Sequence, residues 1–240
     1  GEQVEIRNTT EERGVIVVAG PKARDVLSGL TDASLGSADF PWRTAQQIEI
    51  AGIPTLALRI NYVGELGWEL HPAMADLPAL YEAVWAAGEA HGVADFGLYA
   101  MNSLRMEKGY RGWGAELTNE VTLLEADMAR FYASGKEDFV GKSATETNEA
   151  GPLRLVYFEV EAEDADVRGG EPIFLGDTCV GVTTSGGYGY AVEKSLGFGY
   201  VPPEQAEPGS VIDIGLLDAR CRATVLAEPI YDPGNERLAS

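Results

Sequence analysis

Apolar and polar positions alternate in two different rhythms along this chain. Val15-Ile16-Val17-Val18-Ala19 is a compact apolar run that predicts a buried strand. Gly20-Pro21 turns the chain, and Val26, Leu27 and Leu30 supply the inner side of a helix that starts near Pro21. Gln47 to Ile50 and Thr55 to Ile60 predict two strands, with Ala51-Gly52-Ile53-Pro54 as the turn between them. In the second of these, Leu56, Leu58 and Ile60 alternate with smaller or polar residues and are expected on the buried face. Val63 to Gly67 predicts a tight turn into Trp68-Glu69-Leu70-His71. Leu77, Leu80, Tyr81, Val84 and Trp85 then recur at helical spacing, predicting a helix over 74–91 that stops at Gly92. A second helix is expected over 98–108, capped by Gly109, and a third, shorter one over 123–131.

The rhythm changes after the polar, breaker-rich stretch Glu146 to Pro152, which marks a domain boundary. Leu153 to Val160, Pro172 to Leu175, Val180 to Ser185, Gly197 to Val201, Val211 to Ile214 and Arg220 to Ala227 read as short strands punctuated by Gly and Pro. That texture predicts an antiparallel barrel or sandwich. The fold class expected is α+β: a mixed α/β segment over 1–150 and a β domain over 151–240.

Composition narrows the function classes. The 240 residues carry 18 Lys and Arg against 38 Asp and Glu, a net charge of −20. Basic and acidic residues number 12 and 23 over the first 150 positions, and 6 and 15 over the last 90, so the acidity is not confined to a tail. Such a surface repels phosphate backbones and anionic lipid, and neither nucleic-acid nor membrane-surface binding is expected. No apolar run approaches bilayer length, and the start of the chain has no signal-peptide core. The first residue is not Met, so the natural chain is expected to begin earlier. Cys179 and Cys221 are expected to be reduced core thiols in a cytoplasmic protein. His71 and His91 have no Cys or His partner at ligand spacing, so no metal is expected. Gly186, Gly187 and Gly189 precede no helix with a lysine and read as turn or bulge glycines rather than a phosphate cradle.

Two stretches carry candidate chemistry. In Arg59 to Leu70, strand alternation sends Glu69 to the face opposite Trp68 and Leu70. If that face lines a cavity, the carboxylate needs paired donors, and a 2-amino-4-oxo-pteridine edge offers adjacent N–H groups that suit its two oxygens. Tyr62 stands nearby across the turn. The same residues fit a plain hairpin with a surface glutamate. In Tyr99 to Gly114, the helix end presents Tyr110, Arg111 and Trp113, a cluster able to grip a flat heteroaromatic ring and its anionic tail. A helix cap packed by aromatic rings, with solvated arginines, fits equally.

Tyr62-Val63-Gly64-Glu65-Leu66-Gly67-Trp68-Glu69 resembles the signature of the aminomethyltransferase (glycine-cleavage T-protein) superfamily. Asn102 to Arg111 is most similar to its dimethylglycine and sarcosine dehydrogenase branch. Asp138 to Lys142, Thr184-Ser185-Gly186 and Leu196 to Pro202 fall in the family's order, so the likeness covers essentially the whole chain.

The resemblance implies a folate-binding α/β lobe followed by a C-terminal antiparallel β-barrel, within a three-lobed arrangement around tetrahydrofolate. It implies folate contacts for Glu69, Tyr62 and Tyr110. The aspartate central to one-carbon transfer is expected upstream of Gly1, in a lobe outside this sequence, and FAD only through a further N-terminal domain. The implied activity is formation of 5,10-methylenetetrahydrofolate from an N-methyl amine, as in glycine betaine catabolism, with the glycine-cleavage aminomethyltransferase reaction or another folate-dependent demethylation as the alternative; the expected partners are the small-molecule folate and amine and the absent lobe. T-proteins proper carry an arginine at the position of Met101, so that contact is not carried over. A relative that supports iron–sulfur assembly is disfavoured, because Lys136 to Lys142 holds no Cys.

Overall fold

A computed structural model describes residues 3–147 and 151–240. The centre of the expected boundary at 146–152 therefore lies outside the described residues. The chain divides into two compact units, Gly1–Gly97 with Gly234–Ser240, and Leu98–Pro233. No described helix is long and apolar enough to cross a membrane.

In the first unit, strands β1 (Ile16–Ala19), β2 (Ala45–Ile50), β3 (Ile53–Leu58) and β4 (Gly67–His71) form an antiparallel sheet in the order β1-β4-β3-β2. Side chains alternate across it. Ile50, Ala57, Trp68 and Leu70 point to one face, where they pack with Ala23, Val26 and Leu27 of helix α1 (Ala23–Ser28) and Leu80 and Val84 of helix α2 (Leu77–Gly88). Short 3-10 turns flank α2, and Gly92 ends the run at φ 78°. The buried set in β3 is Thr55 and Ala57, continued by Arg59 just beyond the strand. Leu56, Leu58 and Ile60, expected inside, lie half-exposed on the opposite face. The helices pack on the face that carries Ala57, Trp68 and Leu70, so the small residues of β3 are covered while its larger leucines lie opposite. The β2–β3 turn is also tighter than expected. Ile50 pairs with Ile53, leaving only Ala51 and Gly52, both with positive φ, and Pro54 sits in the strand opposite Glu49.

In the second unit, helix α3 (Leu98–Glu107) is followed by Gly109 at φ 63°, the left-handed cap expected there. The helix expected over 123–131 is absent. Thr122 and Glu125 cap a single turn, Asp127 at φ 53° breaks it, and a 3-10 turn follows at Ala129–Phe131. Helix α4 spans Lys142–Thr147.

Strands β5 (Arg154–Val160), β6 (Pro172–Leu175), β7 (Thr178–Gly189), β8 (Lys194–Val201), β9 (Val211–Leu216) and β10 (Ala219–Val225) then close into an antiparallel barrel, ordered β10-β5-β8-β7-β6-β9. Its interior holds Val156, Phe158, Ile173, Val201, Ile212 and Ile214. The outer side of β5 and β8 is buried as well, where Tyr157, Leu196, Phe198 and Tyr200 pack with Met106 of α3. Gly186, Gly187 and Gly189 lie within β7 rather than in a turn, and a Cβ at Gly186 would stand 2.5 Å from the Val167 Cβ. Cys179 is exposed beside the β6–β7 turn, contrary to expectation, and Cys221 packs only partly on the barrel core. The last helix, α5 (Glu236–Ala239), belongs to the first unit.

Candidate functional site

Among the described residues of the first unit, helices α1 and α2 pack on one face of the sheet. The other face is built by register. Glu69 stands opposite Val17 on β1 and Leu58 on β3, and His71 stands opposite Leu56. Paired residues in an antiparallel ladder share a face, so Val17, Leu56 and Leu58 surround Glu69 and His71 with apolar surface. The Glu69 side chain is about one-quarter exposed, with Oε2 3.3 Å from His71 Nε2. A half-buried carboxylate with one oxygen near an imidazole retains acceptor capacity for a ligand's donors. This is the face on which the alternation placed Glu69.

The segment between Arg59 and β4 is organised by Asn61. Its Oδ1 accepts the N–H groups of Val63 at 3.0 Å and Gly64 at 3.1 Å, and its Nδ2 donates to the Glu65 carbonyl at 2.6 Å. Gly64 takes φ 79°, which L side chains rarely adopt, and this lets the chain reverse. Tyr62, half-buried, lies inside this braced turn. Asn61 and His71 were not singled out from the sequence. An Asn ahead of a turn glycine is a readable signal; the His71–Glu69 pairing is readable only as residues i and i+2 of one strand face.

Tyr110 belongs to the second unit. Its carbonyl accepts from Arg105 Nη1 at 2.9 Å, and burial first, with Asp232 adding to it and Arg130 opposing, raises its phenol above the ordinary value. Arg105 is itself buried and paired with the buried Glu116 at 3.1 Å, and its Nη2 donates to the Ser185 hydroxyl at 2.8 Å. Glu116 also accepts from the Gly112 N–H and the Thr184 hydroxyl, both at 2.6 Å. The α3–Trp113 stretch thus spends its charges on its own fold. Glu107 accepts from the Ala191 and Val192 N–H groups, and Lys108 is paired with Asp232.

Arg111, which fitted either a grip on an anionic tail or a solvated surface position, is largely buried. It pairs with Asp127, donates to the Gly109 carbonyl, and lies 5.6 Å from the Phe198 ring centroid. Burial lowers its guanidinium from the ordinary value, with Asp127 opposing. Trp113 is 84% exposed and does not join it.

Comparison with known proteins matches residues 1–136 to the GCVT N-terminal domain and residues 154–232 to the glycine cleavage T-protein C-terminal barrel domain. The chain is 42% identical to human mitochondrial dimethylglycine dehydrogenase, over 99% of its own length and 28% of that protein. It is 36% identical to human mitochondrial sarcosine dehydrogenase, over 98% of this chain and 27% of the relative. To the aminomethyltransferase of Listeria welshimeri it is 35% identical, covering 95% and 62%. The chain therefore spans about a quarter of the dehydrogenases. Its fold also matches the crystal structure of glycine cleavage system aminomethyltransferase T from Bartonella henselae, with a TM-score of 0.80, 24% identity, and coverage of 92% of this chain and 60% of that one.

Proposed function

The chain belongs to the glycine-cleavage T-protein family, and from that premise we propose that it is the tetrahydrofolate-binding, one-carbon-transfer part of an enzyme of the dimethylglycine or sarcosine dehydrogenase kind. The observation that carries the reading is Glu69. It is a half-buried carboxylate on the sheet face opposite the α1–α2 core, flanked by Val17 and Leu58. Small-molecule sites combine apolar walls with a few placed polar groups. A pterin head fits this arrangement, because its flat ring lies on aliphatic side chains while adjacent ring and exocyclic N–H groups meet the two carboxylate oxygens.

When bound, the folate would supply the amine nitrogens that take the carbon of an N-methyl amine already oxidised to the iminium, the demethylated amine leaving and 5,10-methylenetetrahydrofolate resulting. The residues of this chain then have three tasks. Glu69 holds the donor edge of the ring and sets its orientation. Tyr62, on the turn braced by Asn61, borders the ring. The aliphatic face around Glu69 keeps out water, which would otherwise release the carbon as formaldehyde. Tyr110 is proposed as a further contact from its place in the family's sequence pattern. Oxidation of the amine by FAD is assigned to sequence outside this chain, and no residue here is given a part in it.

Titration calorimetry of the full-length protein with tetrahydrofolate tests the reading. Glu69→Gln keeps the shape but removes the charge and one acceptor, and is expected to weaken binding at least a hundredfold with flavin reduction by the amine unchanged. Wild-type affinity in that variant overturns the assignment.

A further inference from the structure

The final residues of the chain return to the segment that carries the proposed site. Arg59, 1% exposed, lies between β3 and Tyr62. Its Nη1 donates to the Phe40 carbonyl at 2.7 Å, and its Nη2 to the carbonyls of Ser240 at 2.5 Å and Leu238 at 3.4 Å. The Ser240 oxygen also accepts from Arg24 Nη2 at 2.6 Å and from the Ser37 hydroxyl at 2.9 Å. Leu238 is buried, at 2% exposure. Arg237 Nη1 stands 3.5 Å from Glu65 Oε1, within the turn itself.

We infer that residues 236–240 form a strap that holds the 59–66 segment in its binding geometry, with Arg59 and Arg237 as positioning residues. The strap engages this segment at two places, its start through Arg59 and its interior through Glu65. A buried guanidinium needs acceptors, because burying its charge without them costs several kcal/mol. Two of the three acceptors on Arg59 come from the strap. The Arg59 guanidinium also lies 5.7 Å from the ring centroid of Trp68, the residue before Glu69, and Arg24 lies 5.8 Å from the same ring. Displacing the strap therefore leaves a buried cation short of acceptors beside the strand that presents Glu69. The turn is braced from inside by Asn61 and from outside by the strap. The link to ligand affinity rests on the folate reading above; the mechanical link does not.

The experiment separates the two. Leu238→Asp, which expels the strap, and the milder exposed change Arg237→Ala are made in the full-length protein. Amide exchange of residues 60–66 and tetrahydrofolate affinity are then measured beside Glu69→Gln. The strap predicts exchange in 60–66 at least tenfold faster in Leu238→Asp and several-fold faster in Arg237→Ala, with the barrel unaffected. It also predicts folate affinity at least tenfold weaker in Leu238→Asp, and near wild type in Leu238→Met. Unchanged exchange in both variants overturns the strap whatever the ligand. Faster exchange with wild-type affinity, where Glu69→Gln does lose binding, overturns the positioning role. Wild-type affinity in Glu69→Gln overturns the folate reading alone, and the strap is then judged on exchange. If Leu238→Asp does not fold, Arg237→Ala decides on the same criteria.

Discussion

Leu58 stands directly opposite Glu69 across the β3–β4 ladder, on the sheet face opposite the α1–α2 core. Its neighbour Ala57 stands opposite Leu70 and is fully buried. A carboxylate introduced at each position separates site from core. Leu58→Asp puts like charge against Glu69 and removes part of the apolar floor, so folate affinity is expected to fall at least tenfold while the thermal midpoint moves little. Ala57→Asp buries an unpaired charge under α2, and the first unit should fail to fold. Calorimetry and near-UV circular dichroism check both. Normal binding by Leu58→Asp places the ligand elsewhere.

Arg105 and Glu116 are both buried and satisfy one another. Removing one partner of such a pair costs about 3–5 kcal/mol, because the remaining charge stays buried. Glu116→Leu is expected to destabilise by that amount and to release the Gly112 N–H and the Ser185 hydroxyl together. Glu116→Gln keeps the shape and one of the two acceptor oxygens and should cost less. Urea unfolding gives both values, and a Glu116→Leu protein within about 1 kcal/mol of wild type contradicts the account.

These residues show where the sequence was readable. The six barrel strands could be read because β-branched and aromatic runs are bounded by Gly and Pro, a local signal. The side of β4 that carries Glu69 followed from alternation alone. In β3 alternation distinguished two faces but not which one packs against the helices. Leu56 and Leu58 are the larger apolar residues, so hydrophobicity favoured them as core, whereas Thr55 and Ala57 lie on the face that the helices cover. Where the outer face is itself apolar, that inference inverts. The partners of Arg105, Glu107 and Lys108 were not legible. They lie as far along the chain as Ser185 and Asp232, and a charged residue reads as solvated until the fold supplies its counterpart. The helix expected over 123–131 reduces to a capped turn, because Asp127 gives no sign in sequence of its left-handed backbone.

Acid stability has a local handle at Glu171. Burial alone would raise its carboxyl, but the Thr183 hydroxyl and the N–H groups of Gly169 and Arg168 outweigh burial and hold it below its ordinary value of 4.5. A depressed carboxyl stabilises the folded state above its unfolded value, and that contribution is lost as pH falls through the folded one. The barrel is therefore expected to lose stability below about pH 4.5 as this group protonates. Glu171→Gln should be less stable than wild type at neutral pH, with the two proteins converging in acid. Thermal midpoints from pH 7 to pH 3 read this directly, and parallel curves would remove the assignment.

The turn between β2 and β3 offers a stabilising change. Ala51 and Gly52 take φ 51° and 75° in a two-residue hairpin loop. Glycine accepts such a conformation without strain, but for alanine the crowding of Cβ against the following carbonyl costs roughly 1–2 kcal/mol. Asparagine tolerates positive φ, and Asn-Gly is the favoured pair for a loop of this kind. Position 51 is exposed, so nothing packed is disturbed. Ala51→Asn is expected to stabilise the first unit by about 0.5–1 kcal/mol, raising its midpoint by roughly 2–8 °C. Gly52→Ala should lower it by a similar amount, since it adds a second strained residue to the same loop. Differential scanning calorimetry of the two variants gives opposite shifts if the loop has this geometry, and shifts of the same sign contradict it.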